Sequence, residues 1–259
     1  MLNIADKELA AVRHEKIAQI VRQKRVVKVT ELCRDLMASP ATIRRDLVEM
    51  EKLGRIGRVH GGAVSMDNRL EEPQFEDKAI LAAGEKQKIA KAALEYIKQG
   101  DSIFLDGGST VLALAGMIQS KTGISVVTNS LRVASTLSGE GPAMIMVGGE
   151  FRRLSQTFVG SLTKPFIDQI HVDTAFMGTI GLSLKDGMTT TDPREAHTKE
   201  LVIANARQIV LLADSSKIGK VSFVKFGALE QVNVLITDIG IARGELSSLN
   251  KIGVKVIAV

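Results

Sequence analysis

Between Asp101 and Val259 seven short apolar runs alternate with stretches of helical period. The runs are Ser102–Leu105, Ile124–Thr128, Ala143–Val147, Thr174–Met177, Gln208–Ala213, Val232–Thr237 and Val254–Val259, and Thr110–Gln119 and Pro193–Ala206 are examples of the stretches between them. Runs this short and this continuously apolar suit strands covered on both faces. Strands separated by helices cross over and pair in parallel rather than as hairpins. The expected fold class is therefore α/β, with a mostly parallel sheet. In such a sheet ligands meet the loops that follow the strands' carboxyl ends.

Five of those endings are small or polar. Asp106-Gly107-Gly108-Ser109-Thr110 and Thr128-Asn129-Ser130 each precede a helix, and Gly148-Gly149-Glu150, Gly178-Thr179-Ile180-Gly181 and Asp214-Ser215-Ser216-Lys217 close three further runs. Asp106–Thr110 is a candidate phosphate cradle, because glycines let amides face outward and a helix start favours an anion. It is not a Walker A loop: the spacing is too short and no Lys-Ser/Thr pair follows. The plain alternative is a tight turn with Ser109 or Thr110 as a helix cap. Lys217 can meet a phosphate or hydroxyl, or stand as a solvated loop lysine. Asp192, Glu195 and Lys199 add polar groups after Thr189-Thr190-Thr191. Glu195 and Lys199 equally fit an ordinary i,i+4 helix pair. A crevice of hydroxyls, small residues and a lysine suits a sugar or polyol phosphate.

A different pattern occupies Thr30 to Gly62. Ser39 suits an N-cap and Pro40 the first helical position of a helix running through Thr42, Arg44 and Arg45. Ile43, Leu47, Met50 and Leu53 recur at helical spacing and predict one buried face. Arg45 then points directly away from that face, with Thr42 and Arg44 on its flanks. Such a helix suits a DNA major groove, where Arg meets guanine and the Thr methyl meets thymine. The preceding helix, capped by Thr30, has Leu32, Cys33, Leu36 and Met37 on its inner face, so the pair reads as a helix-turn-helix. Gly54 stops the second helix. Arg55 to Val64 then reads as a two-stranded wing presenting Arg55, Arg58 and His60 to phosphate or the minor groove, with Val26–Val29 as a short strand beside it. Ahead lies a helix from about Ala11 to Lys24, its outer surface basic through Arg13, Lys16, Arg22, Lys24 and Arg25, after a loosely held leader, Met1–Ala10.

Charge separates the two patterns. Met1–Met66 holds 13 Lys+Arg and 8 Asp+Glu, so all of the chain's net +5 resides there and the remainder is neutral. Basic charge confined to one module is the footprint of a polyanion partner. Trp is absent and aromatics make up 3% of the chain, which argues against a stacking platform for single strands. The lone cysteine forms no internal disulfide, and no Cys/His cluster has zinc spacing. With no signal peptide or long apolar run, a cytoplasmic protein without a membrane partner or cofactor is expected. The expected domains are 1–66, DNA binding; 67–84, an acidic linker with Glu71, Glu72, Pro73, Glu76 and Asp77 that ends in a connecting helix; and 85–259, sensing and oligomerisation. Glu85–Gln99 opens the last as a helix with Ile89, Leu94 and Ile97 inward and Lys86, Lys88, Lys91 and Lys98 outward.

These residues together resemble the DeoR/GlpR family of bacterial sugar-metabolism repressors. The likeness is carried by Ser39-Pro40-Ala41-Thr42-Ile43-Arg44-Arg45-Asp46-Leu47, the wing ending His60-Gly61-Gly62-Ala63, Asp106–Thr110, Thr128-Asn129-Ser130, Gly148-Gly149 and Asp214-Ser215-Ser216-Lys217-Ile218-Gly219. It implies an N-terminal winged helix-turn-helix and a C-terminal effector domain similar to ribose-5-phosphate isomerases and CoA-transferases. It further implies repression of a sugar or polyol operon, release from double-stranded operator DNA by a phosphorylated effector, and a homodimer or homotetramer. Phosphate is then expected at Asp106–Thr110, with Asn129, Ser130, Gly148, Gly149, Glu195, Lys199 and Lys217 around the carbon chain. The rival reading is a sugar-phosphate isomerase with an accessory DNA-binding head. Those isomerases carry an Asp-Gly-Ala-Asp segment, and the most similar segment here, Asp173-Thr174-Ala175-Phe176, lacks the second carboxylate. Phenylalanine cannot transfer a proton, so binding without turnover is expected; Glu200 is the remaining candidate acid.

Overall fold

The computed structural model describes residues 4–24, 26–53, 55–59, 61–65 and 75–259, in two compact units, Met1–Pro73 and Gln74–Val259. Expectations resting on Arg25, Gly54, His60, Glu71, Glu72 and Pro73, or on the side chains of Arg22, Glu76 and Asp77, fall outside what is described.

The first unit runs α1 (Ile4–Lys24), β1 (Val26–Lys28), α2 (Val29–Leu36), α3 (Pro40–Lys52), β2 (Ile56–Val59) and β3 (Gly62–Ser65). Its strands form an antiparallel sheet in the order β1-β3-β2. The core joins Ile17 and Val21 of α1, Leu32 of α2, Ile43, Leu47 and Met50 of α3, and Ile56 of the wing. Gly62 allows the sheet to close, because a Cβ there would stand 2.2 Å from the Val27 carbonyl oxygen.

Four local expectations are corrected here. Helix begins at Ile4, within the expected leader. Thr30 lies inside α2, which starts at Val29 with Lys28 in the cap position. Met37 does not face inward: it is the left-handed C-cap residue of α2, φ 48°, and is 95% exposed. Leu53 caps α3 and is 62% exposed, because the helix ends before its side chain can join the buried stripe.

The second unit contains α4 (Phe75–Ile80), α5 (Ala83–Ala93), β4 (Ser102–Leu105), α6 (Ser109–Met117), β5 (Ser125–Thr128), α7 (Leu131–Thr136), β6 (Ala143–Met146), β7 (Glu150–Arg152), β8 (Thr157–Val159), α8 (Lys164–Ile167), β9 (Val172–Met177), β10 (Gly181–Ser183), β11 (Gly187–Thr190), α9 (Pro193–Ala204), β12 (Ala206–Leu212), β13 (Val224–Gly227), β14 (Val234–Thr237), α10 (Arg243–Lys251) and β15 (Lys255–Ala258). Part of the stretch expected as linker is thus α4, whose Phe75 is buried beneath the guanidinium of Arg132.

All seven apolar runs become strands of one parallel sheet, ordered β15-β14-β12-β9-β4-β5-β6. Successive residues of β4 serve opposite faces: Ile103 and Leu105 pack with α5 and α6, and Phe104 with the cluster that includes Ala196 and Val202 of α9. The chain lays β5 and β6 on one side of β4, then returns to lay β9 on the other. The strand order therefore reverses between β4 and β9, the position where sheets of this kind open a crevice at their carboxyl ends.

Two antiparallel additions carried no sequence signal, the hairpin β7-β8 and the sheet β10-β11-β13. Their strands are three or four residues long, too short for a period to register. Lys86 is a further correction: expected outward, it is buried.

Candidate functional site

In the first unit Ser39 Oγ accepts from the Thr42 amide at 3.2 Å and lies 2.9 Å from Thr42 Oγ1, so the cap chemistry legible in the sequence starts α3. Arg44 and Arg45 follow, both exposed and neither ion-paired among the described residues. On the inner side of the same helix Asp46 is buried and bonded to Arg13 and His14. Arg13 thus braces α3 instead of adding to the basic surface. Arg55 meets Glu15 at 2.5 Å and Arg58 meets Glu51 at 3.5 Å. Such solvated pairs are worth roughly 0–1 kcal/mol, so a phosphate can displace the carboxylates.

In the second unit Asp106 directly follows β4 and Gly178 directly follows β9, the two strands flanking the reversal. The Gly178 amide donates to Asp106 Oδ2 at 2.9 Å. Lys199 of α9 donates to the same carboxylate and to the Gly178 carbonyl at 3.2 Å. Asp106 and Lys199 are both nearly inaccessible, with Lys199 also 5.2 Å from the Phe226 ring centroid. Charges alternate outward from this pair. Lys199 lies 3.7 Å from Glu195, which accepts from Thr190 and lies 3.3 Å from Arg152. Arg152 reaches Asp192 at 3.2 Å, and Asp192 accepts from Arg194. The Arg194 hydrogen bond holds the Asp192 carboxyl well below the usual carboxylate range, against the opposing effect of burial.

Gly107 and Gly108 lead into α6. A Cβ on Gly107 would stand 2.2 Å from the Thr157 methyl. Gly108 is the N-cap of α6 at φ 150°, and no side chain caps that helix, so Ser109 and Thr110 are not the caps of the plain alternative. The first-turn amides are thereby left for an acceptor from outside the helix. Beside them Asn129 is buried; its amide donates to the Phe158 carbonyl at 2.9 Å and its Oδ1 has no hydrogen-bond partner among the described residues.

The other expected residues hold different local roles. Ser130 is spent as the N-cap of α7, accepting from the Val133 amide at 3.3 Å. Gly149 permits close packing, since a Cβ there would stand 2.9 Å from the Thr163 methyl; Gly148 borders open space. Lys217 is half-buried after β12, near Asp214 and Lys86. Sequence reasoning missed Arg152 and Thr157, whose hairpin left no mark, and no spacing could announce that Arg152 meets α9. Asp173, second in β9, bonds Ser102 at the strands' amino ends, opposite Asp106 and Gly178, while Phe176 is core. Glu200 is exposed. Among the described residues no group of three or more His, Cys, Asp or Glu could hold a metal ion, and no helix is long and apolar enough to cross a membrane.

The first unit has the winged helix-turn-helix arrangement, and the second is an α/β unit whose polar Asp106–Lys199 pair sits at the strand reversal of its parallel sheet. Residues 13–69 match the DeoR-like helix-turn-helix domain and residues 82–239 the DeoR C-terminal sensor domain, and the chain belongs to the DeoR family. It is 38% identical over 230 residues to the lactose phosphotransferase system repressor of Streptococcus mutans, covering 87% of this chain and 91% of that one. It is 34% identical over 227 residues to the glycerol-3-phosphate regulon repressor of Escherichia coli K12, covering 87% and 90%. It is 35% identical over 249 residues to the HTH-type transcriptional regulator GlpR of Haloferax volcanii, covering 96% and 98%. Among solved structures it resembles ribose 5-phosphate isomerase A of Methanocaldococcus jannaschii at a TM-score of 0.40 and 18% identity, over 53% of this chain and 55% of that one, a likeness too slight to assign chemistry.

Proposed function

We propose that the protein is a cytoplasmic repressor of a carbohydrate or polyol catabolic operon, released from its operator when a phosphorylated sugar or polyol binds the second unit. In this reading Arg44, Arg45 and Thr42 of α3 enter the major groove, Ser39 orients them through its cap, and Arg55, Arg58 and His60 meet the backbone. A homodimer or homotetramer presents two such helices to half-sites, with the second unit forming the interface.

One observation carries the ligand half: the uncapped start of α6 opens beside the buried Asp106–Lys199 pair at the strand reversal. The amides of Ser109 and Thr110 suit a phosphate. Asp106, Asn129, Glu195 and Lys199 offer the donors and acceptors that hydroxyls need, and Lys217 adds a cation at the rim. Lys199 is already neutralised by Asp106, so it can hydrogen-bond a neutral hydroxyl without leaving a bare charge. Ser130, Gly148 and Gly149 shape the walls.

Binding without turnover is favoured by the position of Asp173, far from the crevice, and by Phe176 in the core. The test is a footprint of the DNA flanking the gene, then titration of the footprinted duplex with phosphorylated sugars and polyols. Release by one such compound, blunted in Lys217→Ala, and no conversion of the panel is the expected result. Absence of any protected duplex, or turnover at an enzyme-like rate, rejects the reading.

A further inference from the structure

The joint between α4 and α5 has two features that neither helix needs. Ala82, between them, has φ 51°, a left-handed conformation that residues bearing a Cβ avoid. Lys86 is buried on the first turns of α5, and its ammonium turns back to donate to the carbonyls of Lys78 and Leu81, each at 2.5 Å. These carbonyls stand at the C-terminal end of a six-residue helix, where side chains can serve as donors. One side chain thus holds a strained joint shut.

Among the described residues the charges that act on that ammonium include Lys78 of α4, Glu85 of α5, and Asp214 with Lys217 after β12. Burial is the main reason the Lys86 amine is pushed down to about 8, with Asp214 opposing the shift and Lys217 and Lys78 adding to it. We propose that Lys86 is a latch on the α4–α5 joint and that an anion held at Lys217 tightens it. Ligand charge is thereby delivered to α4, the described element that follows residues 66–74 and the DNA-binding unit. The ligand half of this proposal rests on the reading of Lys217 as part of the effector site.

The sign follows from linkage. With the joint open, Lys86 returns to water and titrates near its ordinary value of about 10.4. The closed joint binds that proton less tightly, so raising the pH from 7 favours closure. Neutralising Lys217 removes a repulsion that exists only with Lys86 charged, and this too favours closure. Anion binding and latch closure then promote each other by the same factor.

The test needs no ligand. In the full-length protein, hydrogen exchange over residues 75–86 is followed from pH 7 to pH 9 and corrected for the intrinsic base-catalysed rate. Wild type is expected to gain about tenfold in protection, the ratio set by titration near 8 closed and near 10.4 open. Lys86→Arg, which stays charged, and Lys86→Met, which is never charged, are expected to show no such gain. Lys217→Gln is expected to exceed wild type in protection at pH 7 and to gain less than wild type on going to pH 9. A flat wild-type profile, or a Lys217→Gln profile that tracks wild type, overturns the latch and leaves the effector site standing. Unblunted release by Lys217→Ala in the operator assay rejects the site, and the ligand half of the latch with it.

Discussion

Nε and Nη2 of Arg13 on α1 reach the two carboxylate oxygens of Asp46 on α3 at 2.5 and 3.0 Å. His14, one residue on, brings its Nε2 to within 3.3 Å of the same group. Asp46 is 2% exposed and directly follows Arg44 and Arg45. Two adjacent residues of α1 therefore set the rotation of the helix that presents those arginines. Removing one partner of a buried pair strands the other, so Asp46→Ala is expected to destabilise the first unit by about 3 kcal/mol, near the lower end for such pairs because Arg13 can partly rehydrate. Urea unfolding of the full chain measures it. A change below about 0.5 kcal/mol, the size of an ordinary surface substitution, rejects the bracing role.

Arg45 stands on the other side of that helix. Arg45→Ala is expected to weaken binding to the footprinted operator by about 1–3 kcal/mol if the guanidinium reads a base edge, with selectivity relaxed at one base pair. If it meets phosphate instead, affinity falls alike for all sequences and the salt slope drops by about one. Titrations at several salt concentrations separate the two, and affinity equal to wild type throughout excludes both.

Lys199 and Asp106 bond each other directly, so their substitutions should not add. Lys199→Met strands a buried carboxylate and is expected to cost about 3–5 kcal/mol in stability of the second unit. Combining it with Asp106→Asn should recover most of that loss, because no unpaired charge remains. Additive losses in a double-mutant cycle contradict the coupling drawn from the geometry.

Gly107 is required by its neighbour. Gly107→Ala drives a methyl against Thr157, whose hydroxyl is tied to Ser155 at 2.7 Å and resists rotation. The expected cost is about 1–3 kcal/mol, typical of overpacking. Thr157→Ser deletes the offending methyl and keeps the hydroxyl, so the double substitution should approach wild type. If the double variant unfolds as readily as Gly107→Ala, the clash is not the cause.

Asp192 links stability to acid. Its folded carboxyl titrates well below the ordinary value because Arg194, chiefly, bonds the charged form. A depressed carboxylate stabilises the fold above the unfolded value of about 3.9, and the contribution is lost as pH falls below it. The urea midpoint of wild type should exceed that of Asp192→Asn at pH 6, and the gap should narrow by pH 3. A gap that widens on acidification reverses the assignment.

The sequence by itself determined the elements whose cause is local. Continuous apolar runs became the seven parallel strands because each carries its own hydrophobic reason to be buried. Ser39 and Pro40 began α3 because a cap acts within one turn. Gly108 starts α6 because few other residues adopt its φ of 150°. Only the tertiary structure decided which loops meet. Asp106 and Lys199 are neighbours because β9 returned to the free side of β4, and no period within either segment encodes that choice. The same holds for Arg13 and Lys86, which read as surface cations until Asp46 and the end of α4 come to them from elsewhere in the chain. A charged side chain looks alike in sequence whether solvated or paired; its role follows from the partner, and the partner is a property of the fold.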